Sequence, residues 1–373
     1  MSELFGPIFG TSSVDAVTSD GALLSAMCDI EAALADGCAR AGLIADAEPV
    51  VAACNRARLL NITDLGLAAG SGGNPVIPLV AAIRTDAGDA GRDVHLGATS
   101  QDVLDTALML VAQRAVRLVS EDLAAIDHRL TELARTHRAT PMLARTLLQP
   151  AVATTFGALA ATWGSGVARA LAKLDELSFP VQLGGAAGTL APLHPHGPAV
   201  RAVMAERLGL TDPGTVWHTD RTVIADLAGA LGLSAIAIGK VATDIVLLSQ
   251  AELGEVREAR PGGSSAMAHK QNPIAAVTAR AGAAQAPGLV ATLLENATPE
   301  LQRGAGSWHA EWPALLGLLR AVGGAAAQLR VSLTGLHVDP AAMARNLAQR
   351  RDAIDATDLG HATDVVDHFL DRR

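Results

Sequence analysis

Between Arg260 and Pro273 the chain reads RPGGSSAMAHKQNP, a short stretch that combines two hydroxyls, an imidazole, an ammonium and a carboxamide. Pro261, Gly262 and Gly263 discourage regular structure, and Pro273 suits the first turn of a helix, so these groups sit on a loop that runs into a helix start. Lys270 and Asn272, two residues apart beside backbone N–H groups that favour anions, are suited to holding a carboxylate. The alternative is a solvated lysine and an N-capping asparagine. A free serine hydroxyl is a poor acid or base, so Ser264, with Ser265 as second candidate, could move a proton only in a closed site with neighbouring donors. His269 is either a contact or a packed neighbour.

Further polar groups cluster in the same way. Arg303 precedes Gly304-Ala305-Gly306, and a guanidinium fork matches a carboxylate bidentately, although a salt bridge at a helix end would use the same residue. Thr99-Ser100-Gln101-Asp102 follows His95; Thr99 or Ser100 can cap a helix with Asp102 completing a capping box, and His95, Thr99, Ser100 and Gln101 are candidate substrate contacts. Trp217-His218-Thr219-Asp220-Arg221 adds His218 and Arg221 ahead of another apolar segment, with a structural ion pair as the alternative for Arg221. Trp308 and Trp312, one helical turn apart, read as packing.

The elements that must carry these groups are helices. Leu104, Leu108, Val111, Ala115, Leu118, Ile126, Leu130 and Leu133 recur at close to 3.5 residues, which predicts a helix over 99–137 that spans roughly 50 Å at ~1.5 Å per residue. Similar Ala/Leu-rich stretches predict helices over 20–41, 47–60, 150–178, 221–256, 273–297 and 308–335, with a loop over 70–75 and a short helix near 364–370. Alternating β-branched runs are almost absent, so the expected class is all-α. The expected divisions are an N-terminal helical part (1–95), a central long-helix bundle (96–335) and a short C-terminal helical segment (336–373). Helices this long cannot cover their apolar faces within one subunit, which predicts a homo-oligomer with an intermolecular bundle.

Composition narrows the function. A net charge of −9, a pI near 5.6, and nine aromatic residues with no Tyr disfavour nucleic acid as a partner while leaving room for a local basic pocket. No apolar run approaches the ~20 residues of a membrane span, and the first ten residues lack a secretory pattern, so the expectation is a soluble, cytoplasmic protein with no membrane partner. Cys28, Cys38 and Cys54 lack zinc or disulfide spacing and read as buried small hydrophobes. The glycine runs 70–73 and 183–188 lack a P-loop lysine or a βαβ setting, so no nucleotide is expected; no His/Cys/carboxylate cluster has metal spacing, so no metal is expected, and no other cofactor is foreseen.

GGSSAMAHKQNP resembles the signature loop of the fumarase/aspartase superfamily, GSSxMPxKxNP, with Ala268 where proline is usual. HLGATSQDVLDTAL (95–108), LGGAAGTLAPL (183–193), WHTDR (217–221) and QRGAGSWHAEW (302–312) are similar to its 3-carboxy-cis,cis-muconate cycloisomerase branch. The resemblance runs from about residue 4 to about 345. It implies an all-α homotetramer with active sites shared between subunits. The implied activity is a cofactor-free intramolecular lyase interconverting 3-carboxy-cis,cis-muconate and 4-carboxymuconolactone in protocatechuate breakdown. It also implies roles for Ser264, Lys270 and Arg303 in catalysis and for Asn272 in substrate binding. Fumarase-type relatives carry THxQ where this chain has Thr146-Leu147-Leu148-Gln149; Thr146 and Gln149 remain as hydrogen bonders, but Leu147 cannot move a proton. That opposes the first alternative, a β-eliminating lyase such as an adenylosuccinate lyase-like enzyme. The second alternative is a catalytically silent structural member of the same fold.

Overall fold

The computed structural model describes residues 4–9, 13–267, 269–350, 354–355 and 357–372; Ala268 lies outside them. A single helix, Ser100–Thr136, organises the rest. It starts where Asp102 folds back to accept the Thr99 N–H at 3.0 Å, the return half of a capping box. Every residue from Gln101 to Ala112 is buried, whereas beyond Val116 only one stripe is (Val119, Leu123, Ile126, Leu130, Leu133 and Ala134). The helix therefore begins enclosed on all sides and ends as an amphipathic helix with one face on the core.

Phe156–Asp175, Ser307–Leu333 and Asp20–Arg40 pack around it, and Thr222–Leu248 closes the stack against Phe156–Asp175 and Ser307–Leu333. Direction follows from end contacts. Arg221 and Trp308, at the starts of the Thr222–Leu248 and Ser307–Leu333 helices, both bond Asp105 near the start of the long helix. Arg129, near its end, donates to the Leu333 carbonyl. These three helices run parallel, and the 24-residue interval from Asp105 to Arg129 separates the two ends of the stack by about 36 Å.

Several expectations need correction. The helix predicted from residue 150 starts at Phe156, because Pro141–Thr146 and Gln149–Thr155 pair as an antiparallel hairpin with an irregularity between Leu143 and Arg145. Met142, Leu143 and Ala153 are buried, the last two with Leu347, and this tertiary cover outweighs weak strand propensity. A two-residue pairing of Val256–Arg257 with His337–Val338 is a second minor sheet. The segment 273–297 is two helices, Ile274–Ala283 and Ala286–Glu295; Pro287, in the first turn of the latter, has no N–H to continue a ladder. The glycine run at 70–73 mostly continues the Ile62–Gly72 helix, and only Gly73, at φ 72°, leaves it.

Thr222–Leu248 and Ser307–Leu333 are each long and apolar enough, by length and composition, to cross a membrane, which the sequence reading did not anticipate. Half of the first apolar window (50%) and slightly more of the second (56%) is buried in this bundle, so intramolecular packing already uses much of that apolar surface. The three cysteines are buried as expected; burial raises the thiols of Cys28 to about 12 and Cys38 to about 11, and Cys54 further still.

Candidate active site

At the enclosed end of the long helix, two carboxylates one turn apart hold the surrounding loops. Asp102 accepts from the backbone N–H groups of Gly184 and Gly185, each at 2.9 Å, and lies 2.7 Å from Nε2 of His218. Gly185 sits at φ 67°, and a Cβ there would meet the Gly97 carbonyl at 2.8 Å, so this close approach of two loops requires glycine. Asp105 receives Arg221 at 2.8 and 3.1 Å, Gln101 at 3.1 Å and the Trp308 indole at 2.9 Å. Arg221 also reaches Glu311 at 2.6 Å and lies 4.9 Å from the Trp217 ring centroid. Burial pushes the Glu311 carboxyl up, partly offset by Arg221, while Asp105 and Glu311 outweigh burial and raise the Arg221 pKa, so it stays charged.

Gln101, His218 and Arg221 are thus brought to one end, but their side chains face inward and engage protein groups. Thr99, Ser100 and His95 are only half-buried at the rim. Arg303 lies on the same end, where Nη2 donates to the Gly185 and Ala186 carbonyls at 3.0 and 3.3 Å; its Nε is buried without a partner among the described residues.

The other predicted groups occupy the opposite end. Gly262 and Asn272 exchange two backbone hydrogen bonds of 2.8 Å, and Asn272 Nδ2 donates to the Gly263 carbonyl, so the loop that carries the hydroxyls and Lys270 is tied at its neck. Glu258 anchors that neck by accepting the Ala275 and Ala276 N–H groups at the start of the Ile274–Ala283 helix. A Cβ on Gly262 would fall 2.2 Å from Ile274 Cγ1. Ser264 Oγ accepts from the Ala266 and Met267 N–H groups, whereas Ser265, His269 and Lys270 are exposed. Nearby, Arg145 clamps the hairpin, close to its turn, to Glu255 with bonds of 3.0 and 2.8 Å. Its tip projects outward: Leu147 is 96% exposed and lies at φ 52°, followed by Leu148 at φ 63°, with Thr146 opposite Gln149.

A lyase family profile matches residues 22–288. The chain is 42% identical over 360 residues to the 3-carboxy-cis,cis-muconate cycloisomerase of Bradyrhizobium diazoefficiens, covering 93% of this chain and 79% of that protein. The chain belongs to the fumarase/aspartase lyase superfamily. A second relative is the nitrosuccinate lyase of Streptomyces davaonensis, 41% identical over 364 residues, covering 93% of this chain and 77% of that protein. The crystal structure of 3-carboxy-cis,cis-muconate lactonizing enzyme from Pseudomonas putida superimposes with a TM-score of 0.87 at 36% identity, over 100% of this chain and 87% of that one.

Within this superfamily member, sequence reasoning missed Asp105, Glu311, Gln182, which accepts the Trp217 N–H at 3.0 Å, and Glu31, 2.6 Å from His95 Nδ1, and read Asp102 only as a cap. Asp102 and Asp105 at i, i+3 in an otherwise apolar helix start were an available signal, since a buried carboxylate must find donors. Glu31 and Glu311 carry none: which cation each meets depends on how distant helices dock.

Proposed function

We propose that this protein is a 3-carboxy-cis,cis-muconate cycloisomerase that works as a homotetramer in the cytoplasm. The observation that carries the reading is a loop bearing Ser264, Lys270 and Asn272 combined with a hairpin tip where Leu147 stands between Thr146 and Gln149. Lactone closure takes its nucleophile from the substrate: a carboxylate oxygen adds to a conjugated double bond while charge builds on another carboxylate as an enediolate. The enzyme must hold that charge and deliver a proton to the adjacent carbon, and a protonatable tip residue is not required. Lys270 and Asn272 take one carboxylate, Arg303 stabilises developing negative charge, and Ser264, with Ser265 beside it, handles the proton. His95, Thr99, Ser100, Thr146 and Gln149 line the substrate, and Gln101, His218 and Arg221 hold the loops that carry them.

The same placement supports an assembly of several copies. Ser264 and Arg303 lie at opposite ends of a stack about 36 Å long, so one catalytic set draws on more than one copy. The exposed apolar side chains Ile236, Val277 and Leu294 supply surface for the intermolecular bundle. Three unpaired, buried cysteines fit a reducing compartment.

Lactonisation removes diene conjugation, so purified protein should lower the ultraviolet absorbance of 3-carboxy-cis,cis-muconate and yield a lactone identifiable by NMR. An unchanged spectrum with correctly assembled protein would overturn the reading. The similarity to a nitrosuccinate lyase favours one second reading, β-elimination from a substituted succinate; release of nitrite from nitrosuccinate, with muconate untouched, would assign it.

A further inference from the structure

We propose that Glu31 and His95 form a buried carboxylate–imidazole pair in which Glu31 holds the ring and Nε2 of a charged His95 binds one carboxylate of the substrate. The nature of the anion rests on the cycloisomerase reading; the site itself rests on geometry. Glu31 lies in the middle of the Asp20–Arg40 helix with a side chain 0% exposed, flanked by the core residues Ile30 and Ala32. Its Oε1 is 2.6 Å from His95 Nδ1, and its Oε2 has no partner among the described residues. Among the described residues one imidazole therefore provides the only hydrogen bond to a carboxylate taken out of water, an arrangement that packing alone would not select.

His95 is adapted to this contact. Its backbone stands at φ 63°, a region a non-glycine residue seldom occupies, and such strain collects at functional positions. The preceding carbonyl, of Val94, is fixed by Arg84 at 3.2 Å. With Nδ1 engaged by Glu31, Nε2 has no partner among the described residues, and the side chain keeps 14% of its surface exposed. A ring nitrogen held by a carboxylate while the other is left without a protein partner is the arrangement that orients an imidazole toward a ligand. The charged groups that act on the ring are Glu31 on the Asp20–Arg40 helix, Asp102 on the first turn of the Ser100–Thr136 helix and Arg84 on the Val76–Asp86 helix. Burial and Arg84 oppose the imidazolium, but the two carboxylates prevail and raise its pKa above the ordinary histidine value. The ring stands four residues from Thr99, at the end of the stack that also holds Arg303.

The test uses tricarballylate, an unreactive tricarboxylate, titrated calorimetrically into the assembled protein between mildly acidic and mildly alkaline pH. Binding needs the charged ring, so wild-type affinity should fall as pH rises through the raised His95 pKa. His95→Gln should bind roughly tenfold to a hundredfold more weakly at the acidic end, the loss expected for one charge-assisted hydrogen bond, and should lose that pH dependence. Glu31→Gln keeps the shape but removes the charge, so the fall in affinity should move to lower pH, and Glu31→Asp should move it back. Wild-type binding that is absent or does not weaken with rising pH, or His95→Gln binding like wild type, overturns the proposal. A Glu31→Gln protein that binds more weakly with an unmoved pH profile would make Glu31 merely structural. If Glu31→Gln does not fold, the wild-type and His95→Gln profiles still decide whether His95 is the cationic contact. Turnover is read separately: failure to lactonise muconate with the tricarballylate profile intact removes the cycloisomerase reading and leaves the pair standing.

Discussion

Arg221 illustrates how one side chain can be indispensable without facing open space. Its side chain is 1% exposed between Asp105 and Glu311, and it joins the starts of three long helices. Arg221→Ala would leave two carboxylates buried without their cation and should cost about 3–5 kcal/mol in chemical denaturation, as for other broken buried pairs. Arg221→Lys should recover only part of that, because an ammonium cannot reproduce a fork shared by two carboxylates. Lys270 is the opposite case. Exposed on the tied loop, it should be replaceable by alanine within about 0.5 kcal/mol of stability, whereas kcat/KM should fall roughly 100- to 1,000-fold if it holds developing negative charge. Wild-type turnover by Lys270→Ala would remove it from the mechanism.

At the scale of elements, the hairpin 141–155 works against its own local preferences. A two-residue connection with positive φ at both positions favours Asn-Gly, yet here it holds two leucines, both exposed. The Glu255–Arg145 clamp and the buried Leu143–Ala153 pair hold that conformation in place. Leu147→Asn with Leu148→Gly should relieve about 1 kcal/mol or more of backbone strain and raise the melting temperature. Activity should nevertheless fall if the tip meets substrate in another copy. A stabilised variant with full activity would show the leucines to be dispensable to the reaction.

For the whole molecule, the decisive fact is the parallel run of three long helices, which leaves Ser264 at one end and Arg303 at the other. Neither Ser264→Ala nor Arg303→Ala alone should turn over substrate at an appreciable rate. Mixed assemblies of the two should recover part of the wild-type rate if sites are shared, because some sites then combine an intact Ser264 from one copy with an intact Arg303 from another. Confirmed mixed assemblies without recovered activity would argue for sites built within single chains.

The period of apolar residues from Leu104 to Leu133 determined the long helix almost to the residue, since a one-face stripe over many turns has a single regular solution. The chemistry-bearing loop was equally legible, because Pro, Gly and a run of polar groups punctuate the chain locally. The hairpin was not: its strands have little intrinsic preference, and burial against Leu347, far along the sequence, decides them. The inward turn of Gln101 and His218 was hidden for the same reason, as was the pairing of Glu31 with His95, whereas an ion pair was one of the two readings open for Arg221. A carboxylate in a helix stripe declares that it needs donors, but only the docking of distant helices decides which donors arrive. Local sequence pattern sufficed for the long helix, the loop chemistry and the superfamily; only packing splits the candidate site between the ends of a long stack, because helix direction is set by packing and not by any local run of residues.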